Sequence, residues 1–317
     1  MASKSVAKSA SFSLRFALPS LLAVLVALST SGLAVTNLFY PVADTSLLEI
    51  APTNNLGGYA GMNAGTTQEF KKTRALIRFD LSALPTNAFV QSATLQVEVT
   101  RQPDEVPNNT TFGLHRMLRP WGEGNKAPAG QQAGKGLPAT PGEATWECAF
   151  HPTNNWTVPG GAQDVDYSSV ESSSQFIYGI GDSPYLFDTT PELVADVSSW
   201  VASPQSNFGW MLLCNDELSN FTARRFSTRE DTFYSKPFLE VQYLVPPRIN
   251  SIQKSWGQCH VSFIALAGQS YVLEVSDSLT NGTWLPLAHL NPMAQDTYIL
   301  VVDTAVAPRR FYRLNTF

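Results

Sequence analysis

Three tryptophans, Trp121, Trp146 and Trp156, stand in a stretch otherwise dominated by Gly, Pro, Asn and Gln. Indole faces spaced this way are what a sugar-binding surface needs, because they stack on the apolar faces of pyranose rings. The same side chains would equally cap a core beneath the loops, the commoner fate of Trp. Five arginines, Arg74, Arg78, Arg224, Arg225 and Arg229, fall in two strand-like runs. A guanidinium grips a sugar carboxylate in a two-pronged fork, so these are the residues an anionic glycan would require. Arg78 with Asp80, and Arg229 with Glu230, read better as ion pairs serving the sheet. Arg224 and Arg225 point to opposite faces of a strand, so only one of them is expected in a given groove. Asp44, Asn54 and Asn55 supply oxygens of the kind a structural Ca²⁺ takes, although turns also use Asn and Asp for their own backbone.

Catalytic signatures are sparse. The chain has no Gly-x-Ser-x-Gly elbow, no phosphate-cradling Gly-rich loop, and no His-Glu-x-x-His or Cys-x-x-Cys site. Its four histidines are scattered. Asp164, Asp166 and Asp182 are the loop carboxylates to check for the paired arrangement of glycoside hydrolysis. Without such a pair the chain reads as non-catalytic.

Such residues need a frame, and the frame begins with an address. Lys4, Lys8 and Arg15 precede an uncharged apolar run from Phe16 to Leu28, and Gly32-Leu33-Ala34 offers small residues at a cleavage site. That pattern predicts a signal peptide over 1–34 and a secreted, extracellular chain. Its loss removes three basic groups and no acidic one, taking the formal charge from −5 to −8. No later run is long enough to span a membrane. With 15% charged residues and no basic patch, nucleic acid is excluded as the main partner. Three cysteines cannot staple a disulfide scaffold, and no bridge is expected.

Alternating runs predict strands at 75–81, 93–100, 112–118, 208–213, 224–228 and 238–244, with one helical candidate at 190–203. Residues 120–174 read as a long loop region. Val245-Pro246-Pro247 marks a linker, since consecutive prolines cannot continue a strand ladder. Six further strand-like runs follow it: 249–255, 260–266, 271–276, 284–290, 298–303 and 311–314. The expected fold class is all-β, a jelly-roll β-sandwich over 35–245 followed by a smaller immunoglobulin-like β-sandwich over 246–317.

Ordered motifs sharpen the first of these units. Ala43-Asp44-Thr45, Asn54-Asn55-Leu-Gly-Gly58, Arg74-Ala-Leu-Ile-Arg78-Phe-Asp80, Trp121-Gly-Glu123, Thr145-Trp146, Asp196-Val-Ser-Ser-Trp200, Asn207-Phe-Gly-Trp210 and Arg225-Phe-Ser-Thr-Arg229-Glu230 occur in sequence, closing on Lys236-Pro-Phe-Leu-Glu-Val-Gln-Tyr243. In this order they resemble the DNRLRE-type domain, classed with carbohydrate-binding module family ninety-six. The resemblance implies a non-catalytic jelly roll, with alginate-like polysaccharide the ligand of some relatives. The tail more loosely resembles small β domains appended to secreted bacterial proteins. The leading expectation is thus a secreted polysaccharide-binding protein, using Trp121, Trp146, Trp156, and Arg224 or Arg225, with a structural Ca²⁺ at Asp44, Asn54 and Asn55. Two alternatives stand beside it: a structural or adhesive protein of a surface complex, and a glycan-cleaving enzyme.

Overall fold

The computed structural model describes residues 34–130, 134–280, 282–305 and 307–316. The expected export segment, 1–34, lies outside the described residues except for Ala34. Along the chain come β1 (Val35–Phe39), β2 (Pro41–Leu48), the two-residue β3 (Asn54–Asn55), β4 (Met62–Thr66), β5 (Lys72–Phe79), β6 (Phe89–Val97) and β7 (Val99–Arg101). β8 (Thr110–Met117) leads into an irregular stretch holding the short β9 (Leu137–Pro138), β10 (Cys148–Phe150) and β11 (Asn154–Asn155). Then follow β12 (Tyr167–Ile177), β13 (Tyr185–Phe187), helix α1 (Pro191–Ala202), β14 (Trp210–Cys214), β15 (Arg224–Phe226) and β16 (Phe238–Leu244). The protein is predominantly β, as expected.

Two sheets make a sandwich. One runs β1-β16-β6-β13; the other runs β12-β8-β14-β5-β4-β15-β7, with β2 also paired to β5. Their facing sides share one core: Val90, Leu95, Leu239 and Val241 from the first meet Ile77, Phe79, Leu114, Trp210 and Phe226 from the second. Helix α1 closes this core, packing on β6 and β12 through Leu193, Val197 and Trp200. It starts where capping rules place it: Thr190 Oγ1 accepts from Leu193 N at 3.0 Å, and Pro191 opens the first turn.

The larger sheet is apolar on both faces. All five residues of β14 are buried: Trp210, Leu212 and Cys214 face the sandwich core, while Met211 and Leu213 face the other way. In β5, Leu76 likewise turns from its neighbours Ala75 and Ile77 to that second side. The second side is covered by residues from 119–130 and 134–166, so the long loop region supplies a third layer built on Trp121, Trp146, Trp156 and Ala149, packed with Tyr167 of β12. A continuous apolar run such as 210–214 is the sequence mark of a strand buried on both faces.

Strands the sequence pattern missed have identifiable causes. β12 is rich in serine and carries register shifts at Tyr167/Glu171 and Glu171/Ser173, which erase the alternation. β2 and β4 hold Asn63, Ser46 and Asp44 in buried positions, so polarity does not report exposure there.

The strands from Ile249 onward pair among themselves. β17 (Ile249–Ser255), β18 (Gln258–Ala265) and β21 (Thr297–Asp303) form one three-stranded sheet, and β19 (Tyr271–Ser276), β20 (Leu285–Leu290) and β22 (Phe311–Thr316) form another. Val261, Phe263, Tyr271, Leu273 and Leu314 make their common core. No helix among the described residues is long and apolar enough to cross a membrane.

The three-layer arrangement makes a direct prediction. Leu76→Ala and Trp156→Ala, which touch only the loop-covered face, should each destabilise the protein by about 2–5 kcal/mol in equilibrium denaturation. A solvated loop region would lose less than about 0.5 kcal/mol.

Candidate functional site

The three tryptophans are not a sugar platform. Trp121, Trp146 and Trp156 are 4%, 8% and 3% exposed. Trp121 Nε1 donates to the Phe208 carbonyl at 2.8 Å and Trp156 Nε1 to that of Thr145 at 2.9 Å. The chain also supplies a guanidinium beside each ring: Arg78 lies 5.8 Å from Trp121, Arg74 5.5 Å from Trp146, and Arg119 5.7 Å from Trp156. The expected stacking role is corrected accordingly: these rings fill the space between loop and sheet. Arg78 thus lies over Trp121, and its charge also acts on the Asp80 carboxyl.

Loop carboxylates are equally committed. Asp166, fully buried, accepts from Thr157 N, Ala162 N, Thr157 Oγ1 and Arg119. Burial opposes its charge, but these donors outweigh burial and hold the carboxyl below its usual range. Asp164 caps the turn into β12 through Ser169 N at 2.7 Å. Arg74 grips both oxygens of Glu217 at 2.8 Å and holds the Gly160 carbonyl. Each is a joint in the loop layer.

Arg224 and Arg225 separate as the strand period requires. Arg224 is 1% exposed, and its guanidinium donates to the carbonyls of Tyr178, Phe221, Thr222, Ala223 and Asn108 and to Asn109 Oδ1. It is a structural knot, and its expected ligand role is withdrawn for want of a free donor face. Arg225 lines a cleft of roughly 330 Å³, which Arg224 also borders, at the edge of the larger sheet, where β4, β15 and β7 lie side by side. Arg101 stands directly opposite Arg225 in the ladder. Like charges so placed repel; Arg101 is paired with Asp104 at 3.7 Å, while Arg225 forms no ion pair among the described residues. Arg225 lies 5.2 Å from the Tyr59 ring and donates to Tyr59 Oη and Asn63 Oδ1, both at 3.3 Å. The floor of the cleft holds Asn63, 9% exposed, whose Nδ2 donor has no hydrogen-bond partner among the described residues. Gln68, Gln102, Asp104 and Glu105 complete the polar lining.

At the expected metal position, Asp44 is joined by partners the sequence reading did not assign. One carboxylate oxygen each from Asp44, Glu123 and Glu230 lie within 4.8 Å of one another. β2 supplies Asp44, the loop layer supplies Glu123 and the turn after β15 supplies Glu230. Arg229 runs through the group, donating to both oxygens of Glu123 at 2.7 and 2.9 Å, pairing with Glu230 at 2.9 Å, and giving its backbone N–H to Asp44 Oδ2. Asn54 and Asn55 are spent elsewhere. Asn55 Nδ2 holds the carbonyls of Glu123 and Ala144, and its Oδ1 accepts from Gly57 N and Lys126 N. Asn54 holds the Lys135 carbonyl. Their expected place as cation ligands is thus corrected to that of loop clamps, with Asn55 setting the position of Glu123. Glu123 and Glu230, which lie beside Asp44 in the fold, occur inside the ordered motifs.

Burial raises the Asp44 carboxyl well above its usual range, opposed by the Arg229 N–H and reinforced by Glu230 and Glu123; burial likewise raises Glu230. A carboxyl raised in the folded state adds stability below its unfolded pKa near about 4 and loses it as pH climbs through the folded value. In a chelating buffer, Asp44→Asn should therefore gain melting temperature relative to wild type between about pH 4 and pH 8. A difference that stays flat across that range would contradict the assignment.

Scanned against models of known protein families the chain matches none, and no curated protein matches it.

Proposed function

We propose that this chain is an exported, non-catalytic protein that holds a polysaccharide, an acidic one such as alginate, in the Arg101–Arg225 cleft. The observation that carries this reading is a set of ligand-seeking groups at one place. Arg101 and Arg225 hold opposed positions in the ladder; Arg101 pairs with Asp104 at 3.7 Å, Arg225 has no ion pair among the described residues, and the buried Asn63 amide lacks an acceptor. A uronate carboxylate set against Arg225 would supply the anion it lacks, and a ring hydroxyl would satisfy Asn63 Nδ2. Gln68 and Gln102 suit vicinal hydroxyls, which need planar polar partners. The ordered resemblance to the DNRLRE-type domain points the same way. A chain whose net charge is −8 after loss of 1–34 cannot draw in an acidic polymer at long range, so the local pair of arginines has to supply the hold.

A glycan array followed by calorimetry with acidic and neutral polysaccharides tests the reading. Binding should favour uronate polymers, weaken with salt, and drop at least about tenfold in Arg225→Ala and in Asn63→Ala, each worth about 1.4 kcal/mol or more. Folded protein that binds none of the polysaccharides, with calcium present, would sink it.

One observation favours a second reading, a structural or adhesive surface protein. On β21, Tyr298, Leu300 and Val302 alternate outward and are exposed, with Ile264 of β18 opposite Tyr298, so the sheet presents an apolar strip to solvent. Such a strip suits a protein surface. Under this reading Leu300→Glu releases the protein from a surface complex and Arg225→Ala leaves it bound. The reverse pattern belongs to the glycan cleft.

A further inference from the structure

Two buried carboxylate oxygens in the acidic group, Asp44 Oδ1 and Glu230 Oε2, have no hydrogen-bond partner among the described residues. Asp44 is 1% exposed, so water does not solvate it freely. An unpaired buried carboxylate oxygen is among the most costly arrangements a folded chain can contain. The charged groups acting on Asp44 are Glu230, Glu123 and Arg229. Three carboxylates against one guanidinium leave two negative charges, and Arg229 already spends its donors on Glu123 and Glu230. With all three ionised the arrangement lacks two positive charges, and two of its buried oxygens lack a partner among the described residues.

We propose that Asp44, Glu123 and Glu230 hold one divalent cation, Ca²⁺ by the chemistry of the donors, and that the ion staples the loop layer to the sheet. All three donors are oxygens, which select hard cations over Zn²⁺ or Cu²⁺. Ca²⁺ tolerates irregular coordination of six to eight oxygens, whereas Mg²⁺ demands a near-ideal octahedron. An acidic group threaded by an arginine suits the former. Glu123 and Glu230 keep 18% and 23% of their side chains exposed, so the solvent side remains open for water ligands and for entry of the ion. The three carboxylates come from β2, the loop layer and the turn after β15, segments far apart in sequence. A cation joining them fixes the third layer by three points at once. The inference stands independently of the glycan cleft, which uses none of these residues.

Calorimetry on the full chain, stripped with EDTA and titrated with CaCl₂, should show one site with Kd below about 1 mM, with MgCl₂ weaker. Millimolar Ca²⁺ should raise the melting temperature of the stripped protein by at least about 3 °C. Glu230→Gln and Asp44→Asn should each weaken binding at least about tenfold, while Glu192→Gln, on the exposed start of α1, should not. Because Asp44 is deeply buried, the half-buried Glu230 keeps the test decisive if Asp44→Asn folds poorly. Absence of both heat and thermal shift with Ca²⁺, Mg²⁺ and Mn²⁺ overturns the proposal. So does stabilisation by Asp44→Asn in protein that ignores Ca²⁺, because a proton then does what the ion was assigned to do.

Discussion

The eight-stranded arrangement cannot leave its second face to water. Leu47, Leu76, Met211 and Leu213 turn to that side, and the four-stranded sheet and α1 are already used on the other. Something has to cover them, and the covering residues come from 119–130 and 134–166, which have little regular structure of their own. A loop layer without long ladders must pin its backbone by side chains, and this one does so repeatedly. Asn55 takes the Glu123 and Ala144 carbonyls, Arg74 takes that of Gly160, and Glu143 accepts from Asn125 N and Thr140 N. Loop glycines complete the fit: a Cβ on Gly122 would lie 1.7 Å from the Gly142 carbonyl oxygen.

That covering layer decides where function can reside. It withdraws the tryptophans from solvent and sets the protein's own arginines beside them, so their ring faces are occupied by cation–π contacts rather than open to a ligand. It also carries Glu123 onto Asp44, concentrating negative charge where burial makes charge expensive. The sheet edge at β15 and β7 escapes the layer, and there Arg225 has no ion pair among the described residues and Asn63 keeps an unused donor.

Much of the strand pattern was legible in the sequence. Runs 238–244 and 249–255 coincide with β16 and β17; in β16 the alternation reports a buried face, with Leu239, Val241 and Tyr243 inward. Legibility failed where that link breaks. β12 spends its serines on bulged pairing, and β2 buries Asp44, Thr45 and Ser46, so neither strand wears its environment in its composition. For the site, residue type was a poor guide because the same indole or guanidinium serves core and ligand alike. Arg224 and Arg225 differ by one position, yet one is a buried knot of carbonyl contacts and the other faces a cleft.

By itself the sequence determined an all-β chain, the helix at its capped start and the opposed faces of Arg224 and Arg225, because each depends on local backbone geometry. It also singled out Asp44, with Asn54 and Asn55, as oxygen donors for a cation. Only the tertiary structure decided which residues join Asp44, since Glu123 and Glu230 arrive from 79 and 186 positions away along the chain. It alone decided that the tryptophans are core. Burial and charge proximity are set by which distant segments pack together, and no local pattern in the chain encodes that distance.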